Sequence, residues 1–277
     1  MSFSFFLPLI TYPDPAPSQG LLHAMDLAAT LGGTVHAVTQ AVDIPTITNP
    51  LGTVLLDTSA MAAAAERASR NVGDRLVEQA GTLAHRLAIS FDSRSVTCRP
   101  EVTGDALSEL ARTFDLTLVP FDSGSDNHRG VAEALLFESG GPVILFPATE
   151  AATHLQTVAI AWDGGTSAAR AVRDALPILR LANEVVVLTV RADKPIPDAR
   201  VGALLHLLSA HGIGAVHHDE NLGERSVGEA LQARALAEDA GMLVMGAYGH
   251  SRLREFVLGG ATRSALANVR LPVLMSH

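Results

Sequence analysis

Gly246, Gly249 and Gly259 follow the apolar run Met242–Met245, with two and then nine residues between them, and Gly260 opens a helix-like run. Residues of this kind bring main chain rather than side chains to a ligand. A glycine accepts positive φ and lets a flat or charged group approach closely. A helix starting beside them adds unpaired N–H groups and the positive end of its dipole, which is the chemistry of an anion site. One such dipole contact contributes about 0.3–1 kcal/mol, so several amides must converge to hold a phosphate. His250, Arg252 and Arg254 line the intervening loop, where the two arginines read either as phosphate contacts or as solvated side chains. Thr262, in the first turn, either donates to a phosphate oxygen or caps its own helix. Asp163, in "AIAWDGGTSAARAV", is a carboxylate followed by small residues that open a second helix. It can accept hydrogen bonds from a ligand amine or hydroxyl, or cap the helix near Ser167.

These groups meet only if the chain places them at one end of a sheet. In the second half, 158–162, 184–190, 215–218, 242–245 and 272–275 read as strands, and 167–181, 199–211, 226–240 and 260–269 as helices with apolar residues at three- and four-residue intervals. Strands without polar alternation, each followed by a helix, predict a parallel sheet covered on both faces, the doubly wound α/β class. Ligands then sit beyond the carboxyl ends of the strands, where Asp163, Val190 and Gly246 all fall.

The plan occurs twice. Residues 10–45 lie on 160–195 at a constant offset of 150, and "GDAL" at Gly104 matches "GEAL" at Gly228 at an offset of 124, so the first half carries about 26 extra residues, much of them in the alanine-rich 59–68 region. Two tandem domains are expected, 1–148 and 156–277, with their final apolar strands, Val143–Phe146 and Val273–Met275, pairing so that neither is left as an open edge. Whether two chains associate further stays open.

The 277 residues, 48% of them hydrophobic, suffice for a sizeable core. A net charge of −9 with scattered basic residues argues against nucleic acid or anionic membrane as partner. No apolar run reaches the roughly 20 residues that span a bilayer. The N-terminal run lacks a basic region and reads as a first strand. The single Cys98 cannot form an internal disulfide, fits a reducing cytoplasm, and reads as a structural thiol. His217 and His218 are adjacent, so on a strand they face opposite ways and cannot grip one metal together. Metalloprotease, Walker and nucleophile-elbow patterns are absent from the sequence, and no catalytic set or metal site suggests itself.

"VAIAWDGGTSAARAV" together with "MLVMGAYGHSRLREFVLGGATRSALANVRLPVLMS" resembles the universal stress protein family, whose nucleotide-binding members carry G-x2-G-x9-G-[S/T]. The repeat extends the resemblance over nearly the whole chain, as in tandem members. The resemblance implies an adenine nucleotide, usually ATP, in the second half. Asp163 and the Val190 backbone would meet the base, Met245 and Gly246 the ribose side, and Gly249, Gly259, Gly260 and the following amides, including those of Ala261 and Thr262, the phosphates. Gly260 stands where the family has Ser or Thr, which removes a hydroxyl for phosphate or magnesium, so ATP is kept and a metal discounted.

In the first half this alignment sets Pro13 against Asp163 and Phe121 against Gly246, and no triple-glycine spacing follows. One nucleotide per chain is therefore expected. The acidic Asp122–Asp126 loop reads as a solvated turn rather than a calcium loop. The leading functional reading is a cytoplasmic stress-response sensor or interaction module that binds adenine nucleotide and contacts an unknown protein partner. The alternatives are a slow ATPase using His250 or Arg252, and a scaffold with a vestigial site.

Overall fold

The computed structural model describes residues 2–45, 57–149, 154–191, 196–247 and 260–277. The first half runs β1 (Phe3–Leu9), α1 (Ser18–Leu31), β2 (Gly33–Val42), α2 (Thr58–Leu87), β3 (Ser90–Cys98), α3 (Thr103–Ala111), β4 (Leu116–Phe121), α4 (Asp126–Glu138) and β5 (Val143–Pro147). The second runs β6 (Thr157–Ala161), α5 (Thr166–Leu179), β7 (Glu184–Arg191), α6 (Asp198–Ala210), β8 (Ala215–Asn221), α7 (Val227–Ala237), β9 (Met242–Gly246), α8 (Gly260–Ala267) and β10 (Val273–Ser276). Every strand and helix expected in the second half is present, with ends shifted by a few residues. The surplus of the first half goes largely into the 30-residue α2, which is more than twice as long as the 13-residue α6.

Among the described residues, ten strands form one sheet in the order β3-β2-β1-β4-β5-β10-β9-β6-β7-β8. Within each half all pairings are parallel, and the halves join where β5 and β10 run antiparallel, with Leu274 opposite Ile144. The two final strands thus close each other's edge, as their apolar sequences require. Alternate residues of each strand feed two cores. Val158, Ile160 and Val244 belong to the core on the face covered by α1, α2, α5 and α6, while Ala159, Leu243 and Met245 belong to the core on the face covered by α3, α4, α7 and α8. Burial on both faces explains why the strands lack polar alternation.

The repeat motif at Gly104 and Gly228 has a steric origin. A Cβ on Gly228 would lie 2.4 Å from the Ala265 nitrogen of α8, and one on Gly104 would lie 2.7 Å from the Ala134 Cβ of α4. In each half a glycine therefore lets two helices cross in contact.

The strand register corrects the repeat alignment in two places. Phe5 pairs with Val35 as Val158 pairs with Val185, so β1 is three residues out of step with an offset of 150. Ile10, not Pro13, stands where the second half has Asp163. Likewise the Thr117 and Leu243 N–H groups donate to Pro142 and Pro272 respectively, which sets Pro120 against Gly246 and Phe121 against Ala247. Phe121 is fully buried in the core on the face covered by α3 and α4, so it does not project into the crevice.

Candidate nucleotide site

The strand order of the second half reverses direction between β6 and β9, whose residues Ile160 and Val244 are paired. Three residues beyond Ile160 stands Asp163, and two beyond Val244 stands Gly246, so both lie at the crevice where a doubly wound sheet takes its ligand. Helices α5 and α8 begin at this same end, on opposite faces of the sheet.

Asp163 is exposed and its Oδ1 accepts the Gly165 N–H at 2.7 Å, holding the turn that leads into α5. An ionised carboxylate has about four acceptor positions, so holding the turn does not by itself preclude accepting from a ligand donor. Both readings of Asp163 therefore coexist at one side chain.

Gly246 has an extended backbone, not the positive φ anticipated for it. The reason for glycine here is space. A Cβ at this position would sit 2.4 Å from the Ala168 nitrogen and 2.6 Å from the Ser167 carbonyl carbon, because the first turn of α5 rests on the end of β9. The first half solves the same contact in reverse, with Pro120 on the strand and Gly20 on the helix, whose missing Cβ would lie 3.0 Å from the Pro120 Cα.

Val190 is half-buried and in register with Glu220 of β8. The Met245 side chain is buried among the residues under α7 and α8, so Met245 offers the crevice its main chain. Gly260 is exposed at the first position of α8, Ala261 is half-buried and Thr262 is buried. The helix is fixed from below by Ser264, whose Oγ accepts the Gly228 N–H at 2.9 Å and donates to the Gly260 carbonyl at 2.7 Å. Gly249, His250, Arg252, Arg254 and Gly259 lie outside the described residues.

Residues 154–277 match the family model described as the universal stress protein family. The second half of the chain is what carries this match. Over the full length, the chain is similar to a universal stress protein structure from Archaeoglobus fulgidus, at 15% identity and a TM-score of 0.70, covering 98% of this chain and 95% of that one. A protein of unknown function from Pseudomonas aeruginosa is similar at 14% identity and a TM-score of 0.59, covering 98% and 92% respectively. At such identities the likeness concerns the fold, which is a tandem of two universal stress protein-like units. No curated protein matches the chain.

In the first unit the corresponding end of the sheet is occupied by the chain itself. Its loop between β1 and α1 spans residues 10–17, against 162–165 in the second unit. The longer loop reaches the start of α4, where the Ser125 hydroxyl donates to the Asp14 carboxylate at 2.6 Å and Asn127 donates to the Tyr12 carbonyl. His128 is fully buried; its Nδ1 accepts the Asp122 N–H, which leaves Nε2 to donate to the Asp14 carbonyl at 2.8 Å. A carboxylate of the protein thus lies at the start of α4, the helix that corresponds to α8 of the second unit. Ser125 also accepts the His128 N–H as the cap of α4. Ser125→Ala is accordingly expected to lower stability by about 1–2 kcal/mol in thermal denaturation.

Elsewhere the described residues hold no group of three or more His, Cys, Asp or Glu placed to bind a metal ion. His217 faces Thr189 and Asp219, whereas His218 faces Glu238, on opposite sides of β8. Asp122 accepts the Gly124 N–H and Asp126 pairs with Arg129, so the acidic loop is a turn held by its own bonds. Burial pushes the Cys98 thiol pKa up against the opposing hydrogen bond from Thr103, the environment of an unreactive thiol. No helix is long and apolar enough to cross a membrane, among the described residues. One residue beside the site escaped sequence reasoning. Arg200, at the start of α6, lies against Gly164 of the Asp163 turn, and no local motif marks a contact between positions so far apart in the chain.

Proposed function

We propose that the second unit binds ATP or another adenine nucleotide, and that the chain acts as a cytoplasmic stress-response sensor or interaction module. The observation that carries this reading is the convergence of Asp163, the end of β9 and the exposed start of α8 at the switch point of a universal stress protein domain. Asp163 and the Val190 main chain meet the base, Met245 and Gly246 border the ribose, and the amides from Gly259 to Thr262, with Gly249, His250 and Arg252, hold the phosphates. No metal is required in this scheme. The division is 1–148 for a degenerate unit that packs or recognises a protein partner, and 156–277 for the nucleotide-binding unit. The Asp14 tie at α4 supports one nucleotide per chain.

Gly260 offers a suitable test, since among the described residues a Cβ there has nothing within 4 Å. Gly260→Asp adds negative charge at a helix start, which favours the helix and repels phosphate. Calorimetric titration with ATP is expected to show one site on the parent chain, at least a hundredfold weaker binding by the variant, and an unchanged or higher melting temperature. Equal affinity in both proteins would remove the phosphate site from α8.

A further inference from the structure

We infer that Arg200 is a base-binding residue of the second unit, working as a donor beside the acceptor Asp163. The inference rests on the nucleotide reading and adds to it the group that recognises the base. A Cβ on Gly164 would stand 2.9 Å from the Arg200 Cδ and 3.4 Å from its Nη1.

 The Gly164 φ is +73°. This is the left-handed region that favours glycine, and the bare Cα is what lets the arginine stem lie on the turn.

The Arg200 side chain is exposed, and among the described residues it makes no ion pair or hydrogen bond. It therefore stands beside Asp163, at the carboxyl end of β6, with its donors uncommitted. A guanidinium only donates and a carboxylate only accepts. An adenine edge presents an amino donor next to a ring-nitrogen acceptor, which is the pattern that this pair complements. The phosphate-holding start of α8 lies on the opposite face of the sheet from α6, so Arg200 serves the base end of the ligand.

The test compares ATP with inorganic triphosphate, titrated into the parent chain, Arg200→Ala and Arg200→Lys. Arg200→Ala is expected to weaken ATP binding about tenfold and leave triphosphate binding unchanged, with partial recovery in Arg200→Lys. Melting temperatures should stay equal across the three proteins. Equal weakening of both ligands, or of neither, overturns the base-binding role. A parent chain that binds ATP no better than triphosphate overturns it too, while leaving the phosphate site standing; a parent that binds neither ligand overturns the nucleotide reading itself and the inference with it.

Discussion

Replacing Gly246 by alanine is expected to lower the melting temperature and abolish nucleotide binding together. The added Cβ would meet the Ala168 nitrogen at 2.4 Å and the Ser167 carbonyl carbon at 2.6 Å, distances far inside van der Waals contact. Both obstructing atoms are backbone, so no rotamer change relieves the clash and the first turn of α5 must move off β9. Overpacking of a tight core contact costs about 1–3 kcal/mol, and the upper end applies where the neighbour cannot yield. For a chain of this size, about 3 kcal/mol corresponds to a fall in Tm of roughly 6–12 °C. Ala168→Gly should not rescue the variant, because the contact is with main-chain atoms rather than with the Ala168 Cβ. Moving α5 also displaces the Asp163 turn that leads into it, which is why binding goes with stability. Thermal denaturation and an ATP titration on the same preparation check both halves of the expectation; a Gly246→Ala protein as stable as its parent would refute the packing account.

That steric role was hidden in the sequence, where Gly246 reads only as the first glycine of a motif. The fold was legible because burial on both faces leaves an unmistakable pattern: apolar runs such as Met242–Met245 alternate with helical periodicity, and the last strand of each half needs a partner. Registration of the two halves was not legible to the residue. Ile10 and Ile160 look equivalent, yet Ile10 packs under the helices of one face and Ile160 under those of the other, because the loop at 10–17 absorbs the difference. The exchange of Gly20 and Pro120 for Ala168 and Gly246 misleads for a related reason, since the small residue needed at one contact can come from either side of it. Asp163 was identifiable from its place after an apolar strand. Arg200 and Asp14 were not, because each reaches its site through tertiary packing, Asp14 across 111 positions to Ser125.

Gly260→Ser is expected to tighten ATP binding without changing the fold. The position is exposed, opens α8, and among the described residues has nothing within 4 Å of where a Cβ would stand, so none of them obstructs the side chain. A hydroxyl there can donate to a phosphate oxygen, and a hydrogen bond to a charged group contributes about 1.5–3 kcal/mol, or roughly 10- to 100-fold in affinity. Gly260→Asp has nearly the same size and the opposite electrostatics, so the two variants should move affinity in opposite directions from one starting point. The hydroxyl also supplies an oxygen of the kind magnesium accepts. Titrations with and without magnesium should therefore show little difference in the parent chain and a clear gain with the metal in Gly260→Ser. If serine and aspartate weaken binding alike, the start of α8 does not face the phosphates, and the anion must be held by the loop that precedes it.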